Sequence, residues 1–166
     1  GEIRFENVCV QYQGQHKPAL QELSFIARPG TVTAIVGRSG SGKSTLIRLI
    51  PRFYEPSSGR VLLDGIDLRE FKLSNLREQI ALVGQQVILF DDSVLANVRF
   101  GKSDASEQDV WMALRAANAE EFVVKLPEGI HTKIGERGGR LSGGQKQRLA
   151  IARAVHFNAR VLIMDE

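Results

Sequence analysis

The stretch from Thr31 to Ile50 limits most what this chain can become. An apolar run, Thr31-Val32-Thr33-Ala34-Ile35-Val36, leads into Gly37-Arg38-Ser39-Gly40-Ser41-Gly42-Lys43-Ser44-Thr45, and Leu46, Ile47, Leu49 and Ile50 follow. The pattern predicts a strand, a glycine-rich loop and a helix in direct succession. Gly37, four intervening residues, then Gly42-Lys43-Ser44 is the spacing of a loop that wraps phosphate. Its glycines let successive N–H groups converge on one hollow, and a helix starting near Gly42 adds its positive end. Lys43 then sets a compact positive charge on β- and γ-phosphates, and the Ser44 hydroxyl offers a hard oxygen to Mg²⁺.

Composition decides what else is open. The 166 residues, 43% of them hydrophobic and 25% charged, can build one globular domain with a sizeable core. The net charge is +3, with Lys and Arg dispersed among acids. No basic tract supports a nucleic-acid partner, so none is expected. A single Cys, Cys9, allows no internal disulfide and suits a small strand residue in a cytosolic setting. No apolar run is long enough to cross a bilayer, so a membrane role would need another segment to span it.

Ile3, Phe5, Val8, Val10 and Tyr12 alternate with a register change at Asn7, as in a bulged strand, and Leu23 and Phe25 continue the style. Arg28-Pro29-Gly30 turns the chain, Pro51 ends the helix after the glycine loop, Arg60 to Leu63 reads as a strand, and Asp64-Gly65 is a hairpin signal. Leu73 to Gln79 is a short helix, and Ile80 to Val83 a buried strand running into Gly84-Gln85-Gln86. Helical patterns then dominate: Asp92 or Ser93 caps a helix to about Phe100, Ser106 and Asp109 form a capping box, and Glu121 to Leu126 extends the region until Pro127. The reading is an α/β protein whose core spans 1–85 and 141–166, with a helical insert at about 86–140.

A second glycine motif, Leu141-Ser142-Gly143-Gly144-Gln145, opens a helix with Leu149, Ile151, Ala152 and Val155. It repeats the mechanics of the first, a hydroxyl and glycine amides at a helix start aimed at an anion. By itself it could be a glycine cap with polar filler. Val161-Leu162-Ile163-Met164 is a buried strand ending in Asp165-Glu166. Asp165 could hold Mg²⁺ and Glu166 could polarise an attacking water, although two acids after an apolar strand can also simply end it.

Taken in order, these residues resemble one family, the ATP-binding cassettes of ABC transporters, from about Ile3 to Glu166. Gly37 to Thr45 is similar to the Walker A loop, Leu141 to Gln145 to the signature motif, and Ile163 to Glu166 to the end of Walker B. The resemblance implies a P-loop nucleotidase core with an N-terminal antiparallel β subdomain and an inserted helical subdomain. It implies that Tyr12 stacks on adenine, and that Gly37, Ser39, Gly40, Ser41, Gly42, Lys43, Ser44 and Thr45 hold ATP. Ser44, Gln85 and Asp165 would serve Mg²⁺, while Glu166, Gln85 and Lys43 carry the catalysis. In the family two cassettes pair head to tail, so Ser142, Gly143, Gly144 and Gln145 would meet the partner's ATP. Thr132 to Gly138 resembles the exporter loop that touches the membrane domain, which implies attached transmembrane domains and a place at the cytoplasmic face of a membrane.

The family also carries a switch histidine after the Walker B glutamate, and His16, His131 and His156 do not stand at that place. The expectation is therefore an excerpt of a cassette, its C-terminal part missing, with little activity alone. A nucleotide-driven dimerisation switch without turnover is the alternative. A DNA-maintenance ATPase is disfavoured, since no heptads separate Walker A from the signature. With the family's intervening strand absent, Val32 to Val36 should not be hydrogen-bonded to Val161 to Met164, and Ile80 to Val83 should pair in parallel with the latter.

Overall fold

In a computed structural model, all residues except Ser103 and Glu166 are described. The chain divides into two compact units, Gly1–Ile80 and Ala81–Glu166.

The first unit is built on a four-stranded antiparallel sheet in the order β2-β1-β3-β4, from β1 (Ile3–Val10), β2 (Leu20–Ala27), β3 (Ser58–Leu63) and β4 (Ile66–Asp67). Ile3, Phe5, Val8 and Val10 are buried, and Phe5 stacks on Phe25 with ring centroids 4.7 Å apart. Their spacing breaks between Phe5 and Val8 because the ladder is bulged there, as the sequence suggests. Asn7 sits at φ 48, held by its N–H donating to Ser24 Oγ at 2.8 Å. Gly59 faces this bulge at φ 78, where a Cβ would lie 2.3 Å from the Asn7 carbonyl oxygen, so β3 starts at Ser58 inside the expected loop. Asp64 and Gly65 turn β3 into β4, both at positive φ, as a tight hairpin demands.

Helix α1 (Lys43–Leu49) follows the glycine loop and stops before Pro51; α2 (Leu73–Arg77) is the short helix expected. The run before the loop behaves differently. Residues 31–36 form no strand, and Val32 is 99% and Val36 87% exposed. The expected strand at Thr31 to Val36 is therefore corrected to an exposed segment outside both sheets. An apolar run becomes a strand only where a neighbour satisfies its backbone N–H and C=O groups, and neither sheet includes this one. The expectation that it makes no ladder with Val161 to Met164 agrees with this topology.

β5 (Ile80–Val83), whose last three residues open the second unit, and β6 (Val161–Met164) are hydrogen-bonded neighbours. The Asp165 N–H donates to the Val83 carbonyl at 2.9 Å, which brings the C-terminal ends of both strands together and makes the pair parallel. The strands are not buried throughout: Leu82, Leu162 and Met164 remain exposed. Helix α6 (Gly143–Phe157) runs as the spine of this unit. Ala154, with Ala150 and Ile151, packs with Ala81 and Val83, whereas Leu149 and Ala152 enter the core formed by α3 (Val94–Arg99), α4 (Glu107–Ala116) and α5 (Glu120–Val123). Ser93 caps α3, and the Ser106–Asp109 capping box starts α4, both as the sequence indicates.

Candidate functional site

The glycine loop of the first unit is shaped by its own backbone. Ser41 N–H donates to the Arg38 carbonyl at 3.1 Å, closing the turn, and Gly37 lies so close that a Cβ there would meet Ser41 Oγ at 2.5 Å. Gly42 is the N-cap of α1 at φ 91, a left-handed conformation, and a Cβ there would stand 2.4 Å from the Ala19 carbonyl oxygen. Only glycine fits both demands. No side chain caps this helix, so the amides of its first turn are not used by the chain's own side chains. Lys43 reaches back over the loop, and its Nζ donates to the carbonyls of Gly37 at 2.7 Å and Arg38 at 2.9 Å. Two of three ammonium N–H bonds are thus used to hold the loop, and the third remains for an anion. Ser39, Gly40, Ser41 and Ser44 are exposed around it.

Tyr12 and Thr45 are brought together. The Tyr12 hydroxyl and Thr45 Oγ1 are 2.9 Å apart, Thr45 is buried, and Tyr54 meets the Tyr12 ring edge-on at 5.6 Å. Thr45 therefore anchors the aromatic side chain, and Tyr54, which the sequence pattern does not single out, supports it.

A second group lies in the second unit. Gln85 is exposed two residues beyond Val83, whose carbonyl takes the Asp165 N–H, so Gln85 and Asp165 leave the same end of the β5–β6 pair. Glu166 lies outside the described residues. Ser142 caps α6: Gln145 N–H donates to Ser142 Oγ at 3.3 Å, and Ser142 N–H donates to Gln145 Oε1 at 2.8 Å. Gly143 and Gly144 are exposed, with nothing within 4 Å of where a Cβ would stand.

Further along α6, Arg153 donates to Asn97 O at 2.8 Å, Ile88 O at 2.9 Å and Asn97 Oδ1 at 3.0 Å. Burial pulls its guanidinium below the ordinary arginine range, yet it remains a cation. Neither Arg153 nor Asn97 was among the sequence candidates. The signal was available: each is a polar residue set in an otherwise apolar helical stripe, Val94 and Val98 beside Asn97, Leu149 and Ala152 beside Arg153.

The donor set of the loop suits a nucleotide polyphosphate with Mg²⁺: converging amides, a lysine ammonium, and a serine hydroxyl of the kind Mg²⁺ takes. Comparison with known proteins agrees. The family model described as ABC transporter matches residues 20–166. An ATP-dependent lipid A-core flippase of Xanthomonas oryzae pv. oryzae (strain MAFF 311018) is 59% identical over the whole chain, which spans 28% of that protein's length. The flippase of Xylella fastidiosa (strain 9a5c) is 55% identical, again over 28% of its length. A solved bacterial Atm1-family ABC exporter with ATP bound superposes with a TM-score of 0.94 at 42% identity, over 99% of this chain and 29% of that one. With its bulged antiparallel sheet, glycine loop, helical region and signature helix, the chain belongs to the ABC transporter family as an ATP-binding cassette of exporter type.

Proposed function

We propose that this chain binds MgATP on the Gly37–Ser44 loop and hydrolyses it to drive an exporter, with two cassettes closing head to tail. The observation that carries the reading is the loop itself: Lys43 lodged on the carbonyls of Gly37 and Arg38, beside an uncapped helix start that no other residue type than glycine could introduce. Lys43 and the loop amides bind and orient the phosphates, and Tyr12, anchored on Thr45, offers its ring to the base. Mg²⁺, when bound, neutralises charge on the β- and γ-phosphates. Ser44, Gln85 and Asp165 are the side chains that would serve it, each through an oxygen. Glu166 accepts a proton from the attacking water. Residues 1–85 and 141–166 then act as the ATP-binding core and about 86–140 as the helical subdomain. The signature residues Ser142, Gly143, Gly144 and Gln145 serve the partner cassette's nucleotide.

Membrane domains attached to the cassette would carry the cargo, and the identity to lipid A-core flippases favours an amphipathic lipid. No helix among the described residues is long and apolar enough to cross a membrane.

Glu166→Gln in the full-length protein tests the reading. MgATP affinity should hold, turnover should fall by about 10² to 10⁴, and a closed pair should accumulate with ATP. Turnover near wild type with binding intact would remove Glu166 from its role. Wild-type protein that binds and pairs without any turnover would leave a nucleotide-driven switch in place of the ATPase.

A further inference from the structure

Arg153 has no carboxylate partner among its hydrogen bonds. All three acceptors are carbonyl oxygens: the main chain of Ile88 and Asn97, and the side chain of Asn97. Its guanidinium lies 5.3 Å from the Phe90 ring centroid and 5.8 Å from that of Phe100, and these two rings touch at 4.5 Å. Asn97, 1% exposed, extends the contact: its Oδ1 accepts the Phe90 N–H at 2.9 Å, and its Nδ2 donates to Phe90 O at 3.1 Å and Ser93 O at 3.0 Å. A half-buried cation bound only to neutral oxygens and aromatic faces is costly to desolvate, so it persists where its geometry is needed.

That geometry joins two functional segments of the same unit. Ile88 stands three residues after Gln85, and Arg153 stands eleven residues after Ser142 on one unbroken helix. A helix transmits displacement along its axis as a rigid rod, here over about 16 Å. We propose that Arg153 is a positioning residue that clamps the segment following Gln85 to the signature helix, so that the glutamine and the signature move together during turnover. The clamp rests on the MgATP reading above and adds to it a mechanical link between two motifs. Arg153 acts through Ile88 and Asn97.

Two variants in the full-length protein test this. Arg153→Lys keeps the charge but replaces the planar fork with a point donor that cannot serve three oxygens and two rings in the same geometry. Phe90→Leu removes one ring at a half-exposed position and spares the fold. In Arg153→Lys, kcat for ATP should fall about tenfold while the MgATP dissociation constant stays within about twofold. Amide exchange at Phe90 should rise by about tenfold in the nucleotide-free protein, with Val110 and Leu114 in α4 unchanged. Phe90→Leu should show the same split at about threefold. Unchanged kcat and unchanged Phe90 exchange in Arg153→Lys would overturn the clamp. So would loss of protection throughout residues 81–165 with activity following the folded fraction, since that marks a merely structural residue. A wild-type protein that neither binds nor hydrolyses MgATP would remove the reading on which the clamp rests, whereas normal wild-type turnover with an unaffected Arg153→Lys would sink the clamp alone.

Discussion

The two glycine motifs use the same chemistry and solve it differently. At the Gly37–Ser44 loop, α1 begins with a left-handed Gly42 and no side-chain cap, and the loop is tied by the Lys43 ammonium and one backbone turn bond from Ser41 to Arg38. At Leu141–Gln145, α6 begins with a complete capping box, and Leu141 is buried in the helical core. The first motif leaves its amides to a ligand and needs glycine for its shape. The second satisfies Gln145 N–H with Ser142 Oγ, and a serine oxygen that accepts one bond still has its O–H to donate. A loop of the first kind binds an anion with its own resources, whereas one of the second kind is a finished helix start that can add one donor and two smooth glycines to a ligand held elsewhere. That division of labour is what the proposed head-to-tail pairing requires.

Removing the lysine should give the largest effect. In Lys43→Ala the phosphates lose a charge-assisted donor and the carbonyls of Gly37 and Arg38 lose their tie, so MgATP affinity should fall by about 100-fold. Titration calorimetry measures it; affinity within twofold of wild type would break the claim that the first motif binds alone.

Paired glycine substitutions sharpen the contrast. Gly42→Ala forces a side chain into a left-handed backbone and against the Ala19 carbonyl, which should cost about 1 to 3 kcal/mol in a urea melt and weaken MgATP binding with it. Gly144→Ala meets nothing within 4 Å and sits in a helix, so the chain should gain about 0.5 to 1 kcal/mol. Its expected defect is confined to ATP-driven pairing, read by light scattering. Equal effects of the two substitutions on nucleotide binding would erase the distinction between the motifs.

Much of this was legible in the sequence because it is local. The glycine spacing gives the loop, Ser106 and Ser142 give their helix starts, and the break at Asn7 gives the bulge, each decided by residues within a few positions. The run at Thr31 to Val36 misled for the opposite reason: local apolar character cannot supply the neighbouring strand that makes a ladder. The support around the candidate residues was also hidden. Tyr54 against Tyr12 depends on a contact across tens of residues, and the polar Asn97 in its apolar stripe gave no hint that it would bond the Phe90 backbone. The pairing of Ile80–Val83 with Val161–Met164, which sets Gln85 and Asp165 at one end of a strand pair, was expected from the motif order and is met by the β5–β6 ladder.

Ser142→Ala probes the cap directly. Losing the acceptor for Gln145 N–H should cost about 1 kcal/mol of stability, and Ser142→Thr should restore it. Nucleotide binding in the unpaired chain should be untouched by either. Reduced affinity of the unpaired chain for MgATP would mean that the signature serves its own chain's nucleotide.

The smallest effect concerns pH, and it separates the two motifs by a different route. His156 lies in the last turn of α6, where burial lowers its pKa from the ordinary value near 6.5; Lys102 and Arg99 lower it further and Asp109 opposes them. Because the folded-state pKa is the lower one, the unfolded chain binds more protons between that value and about 6.5. Stability should therefore decline as pH falls from about 6.5 toward the lowered value, and remain flat in this respect above 6.5. The side chain is only partly buried, so the slope should be shallow. His156→Gln should flatten it, as read by urea midpoints at successive pH values, while Phe90 and Leu149 amides report opening of the signature-helix unit by exchange. An equal acid response in the mutant would move the sensitivity away from α6.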